Sequence, residues 1–324
     1  MRAEKNSGGV MFSVEHLTKS LGGREILHDV SFEAYGGEVF GLLGPNGAGK
    51  TTTIKIAVGM LMLDAGTIRV AGHDLRHEYE SAMASLGGIV ENPEFYKYMS
   101  GYDNLLQYAR VRRRKIDEKR IREVVHLVGL DNRIHDKVGK YSLGMRQRLG
   151  VAQAILGEPK VLILDEPTNG LDPAGIKELR DIFGALAHES GCAVIVSSHL
   201  MSEMEMMCDR VGVIVNGHLK CVSTTAELLS AVSADSADFI LRVSNPHAAY
   251  DALVFLDEKC RRITEEGTLE VIVPKEGADE LMARINRAIV SAGLDLYTVS
   301  PRENKKLEDV FIQLTEIEGG VQIA

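Results

Sequence analysis

Apolar positions in this chain follow two periods, and the switches between them outline its elements. Residues 10–17 and 25–34 alternate or cluster β-formers on either side of Gly22-Gly23, which predicts two antiparallel strands joined by a turn. Glu38–Leu43 (EVFGLL) is a short apolar run that ends in Gly-Pro-Asn-Gly, the pattern of a buried strand feeding a loop. Thr52–Leu63 then takes up helix-compatible spacing, and residues 100–157 read as mostly helical. Val161–Leu164 and Ala193–Val196 are short β-branched runs, typical of parallel strands buried on both faces. Residues 174–190 between them read as a helix. This βαβ rhythm predicts an α/β core.

After Thr225 the character changes, and the small polar stretch Ser230–Ala237 marks a boundary. Beyond it the pattern predicts strand 239–245, helix 247–256, strands 260–265 and 269–274, helix 278–292 and strand 294–300. A closing helix is expected over 306–316. The βαββαβ order matches a small ferredoxin-like α+β unit. The expected domains are therefore 1–230 and 231–324.

Candidate chemistry concentrates in the first domain. Gly44-Pro45-Asn46-Gly47-Ala48-Gly49-Lys50-Thr51 fits GxxxxGK[ST] between a predicted strand and a predicted helix. The glycines let backbone N–H groups face phosphate oxygens, and a helix N-terminus adds favourable potential. Lys50 is suited to the β- and γ-phosphates, and Thr51, followed by Thr52, to Mg²⁺. A chance glycine-rich turn is the bland alternative, and the strand–loop–helix context argues against it. Asp165-Glu166 ends the run 161–164. Asp165 is suited to hold Mg²⁺, and Glu166 to polarise or deprotonate a water attacking the γ-phosphate. His199, in Ser197-Ser198-His199, follows the strand 193–196 at the end where open α/β sheets bind ligands.

One further element, Tyr141-Ser142-Leu143-Gly144-Met145-Arg146-Gln147-Arg148, lies between the loop and the carboxylates. Phosphate loop, Ser-x-Gly-x-x-Gln, Asp165-Glu166, Gly170-Leu171-Asp172 and His199, in that order, resemble the ATP-binding subunits of ABC transporters. The resemblance covers about residues 10–225. It implies a P-loop NTPase fold with a RecA-like core, an antiparallel β subdomain and a helical subdomain at about 95–157. By the same resemblance Ser142, Gly144 and Gln147 would meet ATP held by a second copy, Asp172 would bridge the copies, and His199 would sense the γ-phosphate. The implied cofactors are ATP and Mg²⁺. The implied partners are a homodimeric second copy and integral membrane permease subunits.

Two positions depart from the family pattern. Leu21 stands where an aromatic residue usually stacks on adenine, and a leucine keeps an apolar contact without the stacking. Glu91 stands where a glutamine usually contacts Mg²⁺ or the attacking water and links to the membrane subunit. A carboxylate there keeps the acceptor and loses the amide donor. Neutral drift in a loop is the bland alternative for Glu91. The Glu91-Asn92-Pro93-Glu94-Phe95-Tyr96 wording, the stretch 141–150 and the terminal Leu307-Glu308-Asp309-Val310-Phe311 are similar to a subgroup that exports or confers immunity to bacitracin and lantibiotics. The expectation is thus an exporter ATPase for antimicrobial peptides. A general drug, sodium or lipid exporter, or a soluble non-transport ATPase of the same family, is the alternative.

Composition narrows the setting. The 324 residues carry a net charge of −9, which speaks against a global nucleic-acid footprint. A local exception is the run Arg110-Val111-Arg112-Arg113-Arg114-Lys115, continued by Lys119, Arg120 and Arg122. It reads as a solvated helical face, with attraction to an anionic membrane surface or partner as the alternative. The four cysteines are widely spaced without a ligand pattern and read as reduced thiols. No apolar run approaches the ~20 residues that span a bilayer, and the N-terminus lacks a signal-peptide core. The chain is expected in the cytoplasm, peripheral on the inner face of the cell membrane.

Overall fold

The computed structural model describes residues 8–112, 115–228, 236–257, 260–264 and 267–301. The chain divides into two compact units, the first ending at Thr225. In the first unit, β1 (Val10–Leu21) and β2 (Arg24–Tyr35) form the predicted antiparallel pair. Gly22 and Gly23 both take positive φ, +58° and +81°, which a two-residue turn of matching twist requires. With β4 (Ala65–Val70) and β5 (His73–Asp74) they make an antiparallel sheet of order β2-β1-β4-β5.

The second sheet has the order β10-β9-β3-β8-β7-β6, built from β3 (Val39–Leu43), β6 (Leu86–Ile89), β7 (Val161–Asp165), β8 (Ala193–Ser198), β9 (Arg210–Val215) and β10 (His218–Thr224). All but β10 run parallel, so the C-terminal ends of β3, β6, β7 and β8 lie along one edge. β3, β7 and β8 are buried at every position, as their unbroken apolar runs require. Residues of both sheets share one core, in which Phe32 of β2 stacks on Phe40 of β3 with ring centroids 5.2 Å apart.

The sequence pattern left 64–90 and 200–224 unassigned, and β4 to β6, α2 (Tyr79–Ala84), α7 (Met201–Met207), β9 and β10 lie there. Asn216-Gly217 was the legible signal: both residues have positive φ and close the β9–β10 hairpin.

α1 spans Lys50–Ala57, shorter at its end than the expected 52–63. Gly59, at φ +76°, turns the chain there, and Met60 N–H donates to the Lys55 carbonyl at 2.8 Å. The helical stretch resolves into α3 (Gly101–Val111), α4 (Glu118–Leu127) and α5 (Leu143–Ile155), and α6 (Pro173–Gly184) continues as a π turn over Ala185–Glu189. The described residues of the basic run fall partly on two helices, Arg110 on α3 and Lys119, Arg120 and Arg122 on α4. α3 ends at Val111, and Arg112 is already extended. Arg113 and Arg114 fall outside the described residues.

The second unit has the strand order β12-β13-β11-β14, all antiparallel: β11 (Ser236–Val243), β12 (Arg261–Ile263), β13 (Leu269–Pro274) and β14 (Leu296–Pro301). α8 (Pro246–Ala252) and α9 (Ala278–Ser291) bury Ala249, Met282, Ile285 and Ile289 in a separate core. This is the ferredoxin-like arrangement expected from the βαββαβ order. The expected helix 306–316 and Leu307–Phe311 lie outside the described residues. Among the described residues, no helix is long and apolar enough to cross a membrane.

Candidate nucleotide-binding site

Parallel pairing gathers the predicted chemistry. The loop 44–51 leaves β3, Asp165 closes β7, and Ser197-Ser198-His199 closes β8, which lies between them. The loop is tightly seated. A Cβ on Gly44 would come within 2.2 Å of the Ile214 carbonyl oxygen, and one on Gly49, at φ +109°, within 2.5 Å of Leu27 Cδ2. At Gly47, by contrast, φ is +79° and nothing stands in the way, so its glycine serves backbone conformation. The Ala48 carbonyl accepts from Gly217 N–H at 3.0 Å, which ties the loop to the β9–β10 turn.

Lys50 opens α1 and is only 4% exposed. Its ammonium donates to the carbonyls of Gly44 and Pro45 at 2.7 and 3.1 Å and lies 3.8 Å from Glu166 Oε1. Burial pushes its pKa down, with Glu166 and Asp165 pulling the other way. Thr51 Oγ1 donates to Asp165 Oδ1 at 3.3 Å, so the two candidate Mg²⁺ ligands already meet. Ser197, fully buried, organises the acidic pair. Its hydroxyl donates to Asp165 Oδ1 at 2.6 Å and accepts from Glu166 N–H at 3.0 Å. Sequence reasoning gave Ser197 no role, although a serine ending an apolar strand was a legible signal.

Glu166 sits at φ +47°, a conformation that costs a non-glycine residue of order 1–3 kcal/mol and clusters at functional sites. Its Oε2 pairs with His199 Nδ1 at 2.9 Å. The carboxylate is thus held between Lys50 and His199. One layer behind, Thr168 hydrogen-bonds the buried Glu203, which braces the turn after Glu166.

Glu91 follows β6 at φ +61° and pairs with Lys55 Nζ at 2.8 Å. That hydrogen bond and the charge of Lys55 hold its carboxyl below the usual glutamate range. Neighbouring Asn92 accepts at Oδ1 from Gln147 Nε2 at 3.3 Å, and Pro93 packs so close to Gly150 that a Cβ there would come within 2.8 Å. α5 is therefore fitted against the 91–93 loop. Gln147 is 2% exposed, whereas Ser142 at the start of the same helix is exposed.

Ser142 caps α5, accepting from Met145 N–H at 3.2 Å, and Asp172 caps α6, accepting from Gly175 N–H at 3.1 Å. Leu171 is the neighbour that a Cβ on Gly144 would meet, at 3.8 Å, and Leu143 approaches Gly170. Ser142 and Asp172 are both exposed, on adjoining turns. The hydrogen bond of Ser142 stays within its own helix and does not reach the phosphate loop. Leu21, 41% exposed, ends β1 at the Gly22-Gly23 turn.

The family described as ABC transporter matches residues 27–169. Over 306 residues the chain is 47% identical to "Uncharacterized ABC transporter ATP-binding protein YhcH" of Bacillus subtilis (strain 168), covering 94% of this chain and 96% of that one. The chain belongs to the ABC transporter ATP-binding proteins. This ABC protein is also 34% identical over 311 residues to "Bacitracin transport ATP-binding protein BcrA" of Bacillus licheniformis, covering 92% of this chain and 95% of the relative. Among solved structures it is similar to cbiO1 from Clostridium perfringens, part of the ABC transporter complex cbiONQ. That likeness has a TM-score of 0.63 at 26% identity and covers 69% of this chain and 93% of that one. The expected fold and the kinship with the bacitracin subgroup agree with these matches, and the ABC protein is a member of an ATPase family.

Proposed function

We propose that this ABC ATPase works as a pair of copies on the cytoplasmic face of the membrane and powers a separate permease that exports a bacitracin- or lantibiotic-like peptide. The observation that carries the catalytic part is Glu166, poised between Lys50 and His199 beside the Thr51–Asp165 contact. Lys50 exchanges loop carbonyls for β- and γ-phosphate oxygens when ATP binds, which offsets the cost of burying its charge. Glu166 accepts a proton from the attacking water, and His199 holds that carboxylate in place and meets the γ-phosphate. Thr51 and Asp165 offer hard oxygen donors suited to Mg²⁺, whose charge would neutralise the phosphates, with water and phosphate oxygens completing the shell. Ser142 and Asp172, exposed on adjoining turns, and the half-buried Gly144 suit the role of closing over ATP held by the second copy.

The cargo reading rests on the BcrA likeness, which extends through most of the second unit. The tests are direct. Glu166→Gln should keep an ATP-induced rise in Tm and lose turnover, and near-normal hydrolysis removes Glu166 from the role. Deleting the gene should sensitise the cell to bacitracin or a lantibiotic. Unchanged sensitivity to both, with altered tolerance of a drug or of sodium, assigns another cargo.

A further inference from the structure

A cavity of about 770 Å³ lies away from the candidate site. Ser85 and Lys160, which lead into β6 and β7, line it, so it sits at the N-terminal edge of the parallel strands, opposite the phosphate loop. Its other walls come from α2, from Arg112 and Lys115–Asp117, from the first turns of α4, and from the connection between α5 and β7. The volume suits a small molecule, for which about 300–1,000 Å³ is usual.

Arg112, Lys115, Lys119 and Arg120, from the basic run that the catalytic site leaves unused, contribute to its polar lining. Arg112 leaves α3 with φ −76° and ψ 142°, and its Nη1 lies 2.5 Å from where a Cβ on Gly157 would stand. The guanidinium is half-buried and has no carboxylate set against it among the described residues; burial alone pushes its pKa down. Arg120 is anchored by Nη2 on the Ile155 carbonyl at 2.8 Å, yet its buried Nε has no acceptor. Lys115 and Lys160 also line the cavity, without an ion pair among the described residues. Four acidic residues line it too, and each already has a partner, Arg120 sharing one of its amino groups with Glu123. Glu123 pairs with Lys119 and Arg120, Asp117 caps α4, and Glu80 and Glu158 are likewise engaged. Met83, Ile116 and Leu156 add an apolar wall.

A partly desolvated guanidinium without an anion is unfavourable, and a second arginine with an unmet donor lies in the same walls. A planar guanidinium matches phosphate oxygens in a fork, and flanking ammonium groups suit a doubly charged anion. We propose that this cavity binds a phosphate-bearing molecule with an apolar body, its phosphate on Arg112, Arg120 and Lys160 and its apolar part against Met83, Ile116 and Leu156. Two sources present that chemistry: the headgroup region of an anionic phospholipid, and a soluble phosphorylated metabolite.

The test uses the full chain carrying Lys50→Ala, which removes phosphate binding at the nucleotide loop. Calorimetric titration with dihexanoyl phosphatidic acid should give one site per chain. Adding Arg112→Gln or Lys160→Gln should weaken it by about tenfold or more, as expected for lost charged hydrogen bonds. Lys160 is exposed, so its variant keeps the test meaningful if Arg112→Gln disturbs folding. Co-sedimentation with phosphatidylglycerol vesicles but not phosphatidylcholine vesicles, lost in the same variants, assigns the lipid source. Binding of the soluble probe without vesicle binding assigns the metabolite source. Absence of binding in the Lys50→Ala chain, or binding unchanged in both added variants, overturns the proposal.

Discussion

At the scale of single residues, two side chains set how the acidic pair is presented. Ser197 satisfies both Asp165 Oδ1 and the Glu166 N–H, and it is fully buried. Ser197→Ala leaves a buried donor and a buried acceptor without that partner, so it should destabilise the fold by about 1–3 kcal/mol and lower turnover. Urea denaturation and a steady-state ATPase assay measure the two effects, and unchanged values in both contradict the bracing role. Glu91 works at the surface through Lys55. Because its pKa is depressed in the folded state, the stabilisation it contributes is present above the ordinary glutamate range. It is lost as pH falls through the lower folded value. The stability gap between wild type and Glu91→Gln should therefore be open at about pH 7 and close in acid. A gap independent of pH would place the effect elsewhere. Leu21→Tyr should sharpen the preference for ATP over GTP if stacking, worth about 1–3 kcal/mol per base, is what leucine lacks. Competition binding reads this out, and an equal preference in both proteins removes Leu21 from base recognition.

At the scale of elements, α5 joins two functions. Its N-terminus presents Ser142 and Gly144, while Gln147 and Gly150 rest on the 91–93 loop. Gly150→Ala places a Cβ within 2.8 Å of a proline ring that has little room to shift. The variant should still bind ATP, judged by its nucleotide-induced Tm rise, and hydrolyse it more slowly. Normal turnover would mean that the loop accommodates the methyl group without consequence. Most of this element-level structure was open to sequence reading, since β3, β7 and β8 are unbroken apolar runs. β6 was not. Leu86-Gly87-Gly88-Ile89 has glycines where strands prefer β-branched residues. The reason is tertiary: a Cβ on Gly87 would come within 2.4 Å of the Ala154 carbonyl oxygen of α5.

At the scale of the whole molecule, each unit has its own core. A chain ended after Thr225 should therefore keep its nucleotide-induced Tm rise, and loss of that response would make the second unit a requirement for the site. Ser142 and Asp172 are exposed and, among the described residues, neither is hydrogen-bonded to the phosphate loop, which predicts that specific ATPase activity rises with protein concentration. A specific activity independent of concentration across the dimerisation range argues for a site complete in one copy.

The sequence by itself determined what is local. The phosphate loop needs glycines at fixed spacing, a parallel strand buried on both faces needs an apolar run, and a helix start needs Ser142 or Asp172 as a cap. Each rule acts within a few residues, so each is written in the order of the chain. The tertiary structure alone decided what depends on strand order. It set β8 between β3 and β7, which brings Ser197 and His199 onto Asp165 and Glu166 from more than thirty positions away. It also set Gln147 against Asn92, and it brought Arg112 and Arg120 up to the connection between α5 and β7. Those pairings join residues far apart in sequence, and only packing brings them together.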